Sequence, residues 1–148
     1  MSLVKGFMHS GITVKDLDLS LKFYIDILKL KLRSRQLANH EYTKKIVDVP
    51  RLTAIDIAFL ELPDGNILEL LEYQGIERYS ASARPCDFGA GHICLQVSDL
   101  DQLYNELSTH GVLFRSKEVV EITHGVNKGA KAMYIYDPDG YIIELMEK

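Results

Sequence analysis

The segment PDGNILELLE at residues 63–72 returns almost unchanged as PDGYIIELME at residues 138–147. In both copies Pro-Asp-Gly, which is typical of a tight turn, leads into a run of strand-forming residues. A glutamate, Glu69 or Glu144, stands in the middle of that run between apolar neighbours. The pattern predicts a hairpin turn followed by a strand that carries a carboxylate on one face.

A second pair of matching segments lies upstream of these strands. HSGITVKDLD at residues 9–18 matches HICLQVSDLD at residues 92–101. Agreement at both ends of two long stretches indicates an internal duplication. We therefore predict a single domain over residues 1–148, made of one module at about residues 5–75, a linker at residues 76–89, and a second module at about residues 90–148.

Each module is predicted to have the element order βαβββ, which gives an α+β fold with a curved mixed sheet. Alternating side chains predict first strands at residues 8–14 and 92–97, and apolar residues at helical spacing follow each of them. The residues suited to begin these helices are Asp16 or Asp18 in the first module and Asp99 or Asp101 in the second.

The two modules differ in their middles. The first copy is about eight residues longer between its His and its Glu, and its polar stretch at residues 35–53 predicts a longer loop. Glu72 and Glu147 fall three positions after the mid-strand glutamates, on the other face and near a strand end. We expect these two carboxylates to be solvated.

Four side chains recur symmetrically and indicate a metal site: His9 and Glu69 in one module, His92 and Glu144 in the other. Burying an unpaired carboxylate is costly, so a mid-strand Glu normally pairs, takes up a proton or binds a metal. Imidazole together with carboxylate suits Zn, Ni, Co, Mn or Fe(II). Two equivalent faces that converge would place all four ligands around a single divalent ion.

Three further residues are candidates for substrate contact. Thr13 and Gln96 lie on the same strand faces as the two histidines, because strand side chains alternate. Lys131 follows the loop at residues 125–129, which is expected either to close over an anionic substrate or to be a solvated hairpin connection.

Composition excludes several classes of protein. An apolar share of 47% and a charged share of 26% are ordinary for a globular protein, and the net charge of −4 has no basic run for binding nucleic acid. No apolar stretch is long enough to cross a bilayer. Without a signal-like segment or a spaced cysteine pair, the sequence predicts a cytoplasmic protein with free thiols.

The chain resembles the vicinal oxygen chelate superfamily, and glyoxalase I and methylmalonyl-CoA epimerase within it. The resemblance rests on the paired openings, on Phe23-Tyr24 with Leu28 in the first helix, and on DPDGYIIEL at residues 137–145. It covers nearly the whole chain. It implies a small-molecule substrate and a homodimer, and leaves open whether each site forms within one chain or across the dimer.

The same resemblance implies a reaction. A substrate with neighbouring oxygens would bind the metal, and a proton would leave the carbon next to its carbonyl to give a metal-bound enediolate. Glu144 is expected to be the principal base, with Glu69 serving the opposite face. Glyoxalase I carries an arginine where this chain has Thr13, so lactoylglutathione lyase-like and methylmalonyl-CoA epimerase-like reactions both stay open.

Two other classes of function compete with this enzyme. One is an Fe(II)-dependent extradiol-type dioxygenase, which needs only two His and one carboxylate, so a fourth ligand argues against it. The other is a non-catalytic resistance protein that sequesters a drug, and such a protein has little use for four ligands.

Overall fold

The computed structural model describes residues 2–81 and 83–148. Met1 and Ser82, the latter in the predicted linker, therefore lie outside the described residues. The backbone divides into two compact units, Met1–Tyr79 and Ser80–Lys148. We call them unit 1 and unit 2.

Unit 1 contains a four-stranded mixed sheet and its helices. In chain order the elements are strand β1 (Ser10–Thr13), helix α1 (Leu17–Leu21), a π-helical segment (Lys22–Ile27), strand β2 (Lys31–Ala38), helix α2 (Glu41–Val47), strand β3 (Ala54–Glu61) and strand β4 (Ile67–Gln74). The sheet order is β1-β4-β3-β2. Strand β1 runs parallel to β4, whereas the other neighbours are antiparallel.

Unit 2 repeats this plan in a shorter form. Its elements are strand β5 (His92–Val97), helix α3 (Leu100–Thr109), the short strand β6 (Val120–Glu121), strand β7 (Lys131–Tyr136) and strand β8 (Ile142–Glu147). The sheet order is β5-β8-β7-β6, with β5 parallel to β8. The predicted α+β class and the two βαβββ modules are confirmed. No helix among the described residues is long and apolar enough to cross a membrane.

One face of each sheet is buried against its helix. In unit 1, Ile12 and Val14 of the first strand segment are 3% and 1% exposed, as their alternation predicts. Leu17, the first residue of α1, and Leu100, the first residue of α3, are fully buried. The opposite face of the unit 2 sheet carries Glu144, whereas the opposite face of the unit 1 sheet carries Glu69 and is partly covered by a second cluster around Ile55 and Ile57.

The expectation of a longer loop at residues 35–53 was wrong. Strand β2 extends to Ala38, and helix α2 begins after two more residues and ends at Val47. The next residue, Asp48, adopts a left-handed conformation with φ 48°. The few apolar residues of this stretch are enough to anchor it, because Ala38 and Leu52 are buried in a cluster with Ile55 and Ile57 of β3. Most of its polar residues are exposed on β2 and α2, and Thr43 of α2 is the buried exception in that helix.

Helices α1 and α3 begin at equivalent residues with equivalent caps. Asp16 accepts a hydrogen bond from the Leu19 backbone N–H at 2.9 Å, and Asp99 accepts one from the Gln102 N–H at 2.8 Å. Of the alternatives predicted for each helix start, the first is therefore correct in both modules. A side-chain oxygen at this position satisfies an amide that has no partner inside the helix.

Glu72 and Glu147 are not solvated, contrary to expectation. Glu72 Oε2 accepts the Leu17 backbone N–H at 2.7 Å, and Glu147 Oε2 accepts the Leu100 N–H at 2.8 Å. Each carboxylate thus links the last strand of its module to the first turn of its helix. The negative charge also lies at the positive end of the helix dipole.

Replacing Glu72 with Ala is expected to lower the free energy of unfolding by about 1 kcal/mol, because the Leu17 amide then loses its partner in a partly buried position. Urea denaturation of wild-type and variant protein measures the loss. Glu72→Gln keeps an acceptor oxygen and is expected to lose less. Equal stability of Glu72→Ala and wild type would show that this link does not support the fold.

Candidate functional site

In unit 1, His9 and Glu69 form a close pair. His9 Nε2 lies 3.3 Å from Glu69 Oε2, with 44% of the His9 side chain and 15% of the Glu69 side chain exposed. His9 lies one residue before β1, because the observed strand is shorter than the predicted one at residues 8–14. Gly11 of β1 stands opposite Glu69 in β4, and a Cβ atom there would lie 3.4 Å from Glu69 Oε2. The glycine keeps the carboxylate uncrowded on that side.

In unit 2, His92 and Glu144 form the equivalent pair. His92 Nε2 lies 3.1 Å from Glu144 Oε2, and the two side chains are 40% and 17% exposed. Cys94 takes the place of Gly11 and stands opposite Glu144 in the parallel pairing of β5 with β8. Partial burial, together with the nearby Glu144 charge, raises the pKa of the Cys94 thiol to about 11. The thiol therefore stays protonated at neutral pH and is a poor nucleophile.

Each pair has the composition and spacing of two ligands of one cation. Donors at roughly 2.1 Å from an ion and at a right angle to each other lie about 3 Å apart, close to the two His–Glu distances. Among residues 2–81 and 83–148, no group of three or more His, Cys, Asp and Glu side chains is arranged to hold a metal. Each unit therefore offers two donors, and the meeting of all four at one ion stays a prediction.

An aromatic residue accompanies each glutamate, and the sequence analysis missed both. Phe59 of β3 stands opposite Glu69, and Tyr134 of β7 stands opposite Glu144. The Tyr134 hydroxyl lies 3.5 Å from His92 Nε2, and the two ring centroids are 5.2 Å apart. Both aromatic residues precede the Pro of their turn by the same number of positions, so pairing across the turn is the signal that identifies them.

The surroundings of the two glutamates differ. In unit 1 the buried cluster of Ala38, Leu52, Ile55 and Ile57 packs against partly buried apolar side chains that include Phe59 and Leu71. In unit 2 the residue facing Glu144 is Tyr134, whose pKa is raised by burial and by the Glu144 charge, so its hydroxyl stays protonated. Glu69 thus faces the apolar side chain of Phe59, whereas Glu144 faces the hydroxyl-bearing side chain of Tyr134.

The three predicted substrate contacts are placed differently from one another. Thr13 and Gln96 are exposed on β1 and β5, on the strand faces that carry Gly11 and Cys94. Lys131 shares the helix-facing side of β7 with the buried Met133 and forms an ion pair with Asp101 of helix α3. The structure does not bring Lys131 to the face that carries Tyr134.

Comparison with known proteins identifies the family. The model of the Glyoxalase/Bleomycin resistance protein/Dioxygenase superfamily matches residues 6–145. The chain is 30% identical over 141 residues to a probable lactoylglutathione lyase of Synechocystis, covering 95% of this chain and 93% of that protein. It is 27% identical over 140 residues to a 2-epi-5-epi-valiolone epimerase of an Actinomyces species, covering 93% of this chain and 76% of that protein.

Solved structures show the same fold. A glyoxalase family protein from Bacillus cereus matches with a TM-score of 0.83 at 22% identity, covering 99% of this chain and 97% of the other. The resemblance found in the sequence is thereby confirmed, since the family match spans both modules and both His–Glu pairs. The chain belongs to the glyoxalase/bleomycin resistance protein/dioxygenase superfamily.

Proposed function

We propose that this protein is a divalent-metal-dependent lyase or isomerase of glyoxalase type, which removes a proton from the carbon next to a carbonyl group. The observation that carries the proposal is the repeated His–Glu pair, with Nε2–Oε2 distances of 3.3 and 3.1 Å on equivalent sheet faces. A carboxylate that is mostly shielded from water and has an imidazole nitrogen as its neighbour is well suited to binding a cation. Relatives named as a lyase and as an epimerase support the same class of chemistry.

In this proposal His9, Glu69, His92 and Glu144 hold one ion, which is Zn, Ni, Co or Mn. A bound divalent cation supplies Lewis acidity, which stabilises negative charge that develops on a substrate oxygen. The strands of each module fix the direction of its glutamate, because the backbone of β4 or β8 is hydrogen-bonded on both sides. A homodimer, which the resemblance implies, and the cytoplasmic location expected from the sequence remain part of the proposal.

Glu144 is the proposed principal base, and its carboxylate oxygen accepts the proton from the substrate carbon. The protonated Tyr134 hydroxyl and Cys94 thiol beside it do not act as bases at neutral pH, since the pKa of each is raised. Glu69 serves the opposite face of the same carbon. A carboxylate on each side allows a proton to be removed from one face and returned to either, which suits isomerisation or epimerisation.

Metal analysis followed by a solvent exchange assay tests the proposal. The purified protein is expected to hold about one divalent ion per chain, which corresponds to four ligands for a single site. Hemithioacetals of thiols with 2-oxoaldehydes and acyl-CoA thioesters, incubated in D₂O, are expected to gain deuterium next to the carbonyl. Chelation should stop the exchange, and restoring the metal should return it.

Three outcomes would contradict the proposal. Exchange that persists after complete removal of the metal would exclude the metal-dependent mechanism. Consumption of dioxygen by the Fe(II)-loaded protein would point to an extradiol-type dioxygenase. Tight binding of a drug by metal-free protein, with no exchange in any substrate, would point to a sequestering resistance protein.

A further inference from the structure

Arg115 lies on the same face of the unit 2 sheet as Glu144. Its backbone N–H donates to the Tyr134 carbonyl at 2.9 Å, and Phe114 forms an isolated bridge with Ile135. The Phe114 ring contacts Tyr104 of helix α3 at 4.9 Å and therefore faces the helix. Because neighbouring side chains in an extended chain alternate, Arg115 projects from the opposite face.

A hydrogen bond on that face orients the guanidinium group. Arg115 Nη1 donates to the Tyr136 hydroxyl at 3.1 Å. Tyr136 shares its face with Tyr134, and both stand opposite residues of β8 on the side that carries Glu144. Arg115 and the His92–Glu144 pair thus lie on one face of one unit, with Arg115 and His92 exposed and Glu144 half-buried.

Arg115 differs from Arg35 and Arg84 in its partners. Arg35 forms ion pairs with Asp18 and Asp56, and Arg84 forms one with Asp87. Arg115 makes no ion pair with a carboxylate in the part of the chain that the structure describes. A guanidinium has five N–H donors in a planar fork, so one bond to a hydroxyl leaves a pair of donors for an anion.

The spacing suits a substrate of several atoms. Arg115 stands beside β7 and Glu144 lies on β8, so two strand spacings, about 10 Å in all, separate the two backbones. Both side chains project from the same face and approach a ligand that lies over Tyr134. An anionic group held at Arg115 would therefore be a few bonds away from the carbon that faces Glu144.

We propose that Arg115, oriented by the Tyr136 hydroxyl, binds a carboxylate of the substrate and selects anionic substrates over neutral ones. This role rests on the proposed function, because it assigns the recognised group to the substrate of that same site. Arg115 is a specificity residue here, and the proton transfer itself does not require it. Planar, two-point recognition of a carboxylate is the property that distinguishes Arg from Lys.

Paired substrates test the selection. The hemithioacetals of methylglyoxal with 3-mercaptopropionate and with 3-mercaptopropionamide differ only in charge at the far end. Arg115→Gln is expected to lower kcat/KM for the carboxylate substrate by about 10- to 100-fold, mainly through KM, as expected for loss of a charged hydrogen bond. Its kcat/KM for the amide should stay within about twofold of wild type, since an uncharged amide has no ion pair to lose.

Two further variants separate the site from general charge effects. Arg115→Lys should recover part of the preference, because it keeps the charge and loses the planar fork. Lys117→Gln removes an exposed cation two residues away and should leave the preference unchanged. An equal loss for both substrates in Arg115→Gln would overturn the proposal.

A binding measurement keeps the result independent of turnover. Calorimetric titration of the metal-loaded protein with glutarate is expected to show binding at least about 10-fold weaker in Arg115→Gln, and binding of the neutral glutaramide should not change. If this difference in glutarate binding is found but no substrate is turned over, the anion site at Arg115 is supported and the proposed reaction is rejected. Failure of wild-type protein to bind glutarate, or equal binding by both proteins, would overturn the role of Arg115.

Discussion

Replacing Glu144 with Gln is expected to lower turnover by about 10²- to 10⁴-fold, while part of the bound metal is retained. The size of the loss is that of removing a general base. The amide keeps an oxygen that can still coordinate a cation, whereas it cannot accept a proton from carbon. Loss of turnover with incomplete loss of metal would therefore separate the two roles assigned to this side chain.

The measurement compares solvent deuterium exchange and metal content in wild-type protein and in three variants. Glu147→Gln is the matched control, because Glu147 lies on the same strand but faces the helix and accepts the Leu100 N–H. It should exchange at the wild-type rate. Glu69→Gln should lose less than Glu144→Gln, and the reverse order would exchange the roles of the two glutamates. Full activity of Glu144→Gln would rule out Glu144 as the base and with it the proposed mechanism.

Much of the fold could be predicted because the duplication presents the same sequence pattern twice, so each copy supports the interpretation of the other. The Pro-Asp-Gly turns define the β3–β4 and β7–β8 hairpins, and the alternation around Ile12 and around Leu95 shows which face is apolar. Both observations depend only on local geometry, namely turn chemistry and the two-residue period of a strand. For the same reason the sequence limited each helix start to two residues, Asp16 or Asp18 and Asp99 or Asp101, and the structure selects the first of each pair.

The features that were missed depend on contacts between distant residues. Glu72 caps a helix whose first amide is 55 positions earlier in the chain. The stretch at residues 35–53 of the first module has too few apolar residues to show a helical period. Its packing depends on Ile55 and Ile57 of β3, which form a buried cluster with Ala38 and Leu52. Arg115 lies outside the regular strands, so the sheet face from which its side chain projects can be inferred only from the bridge between Phe114 and Ile135.

Of the candidate site, the sequence predicted the ligand types but could not predict their surroundings. The equivalence of His9 with His92 and of Glu69 with Glu144 follows from the repeat, and each His lies beside its Glu in the structure. Duplication also suggests equal surroundings, which is not what is found. Phe59 and the buried residues Ala38 and Leu52 make the surroundings of Glu69 apolar, whereas Tyr134 faces Glu144 with a polar hydroxyl.

Replacing His9 with Ala is expected to remove the metal. Losing a direct ligand should weaken binding by more than the roughly 10- to 100-fold that loss of a supporting partner costs. Metal content after dialysis against a weak chelator measures the effect. His124→Ala is the control, because His124 is exposed and hydrogen-bonds its neighbour Thr123, so this variant should keep the wild-type content.

The same experiment on His92→Ala decides between one shared ion and two separate ones. If all four side chains hold a single ion, either His variant should lose nearly all of the metal, since two or three ligands bind far less tightly than four. If each His–Glu pair bound its own ion, each variant would retain about half of the wild-type content. Retention of half would end the proposal of a single centre, because each module would then bind metal without the other.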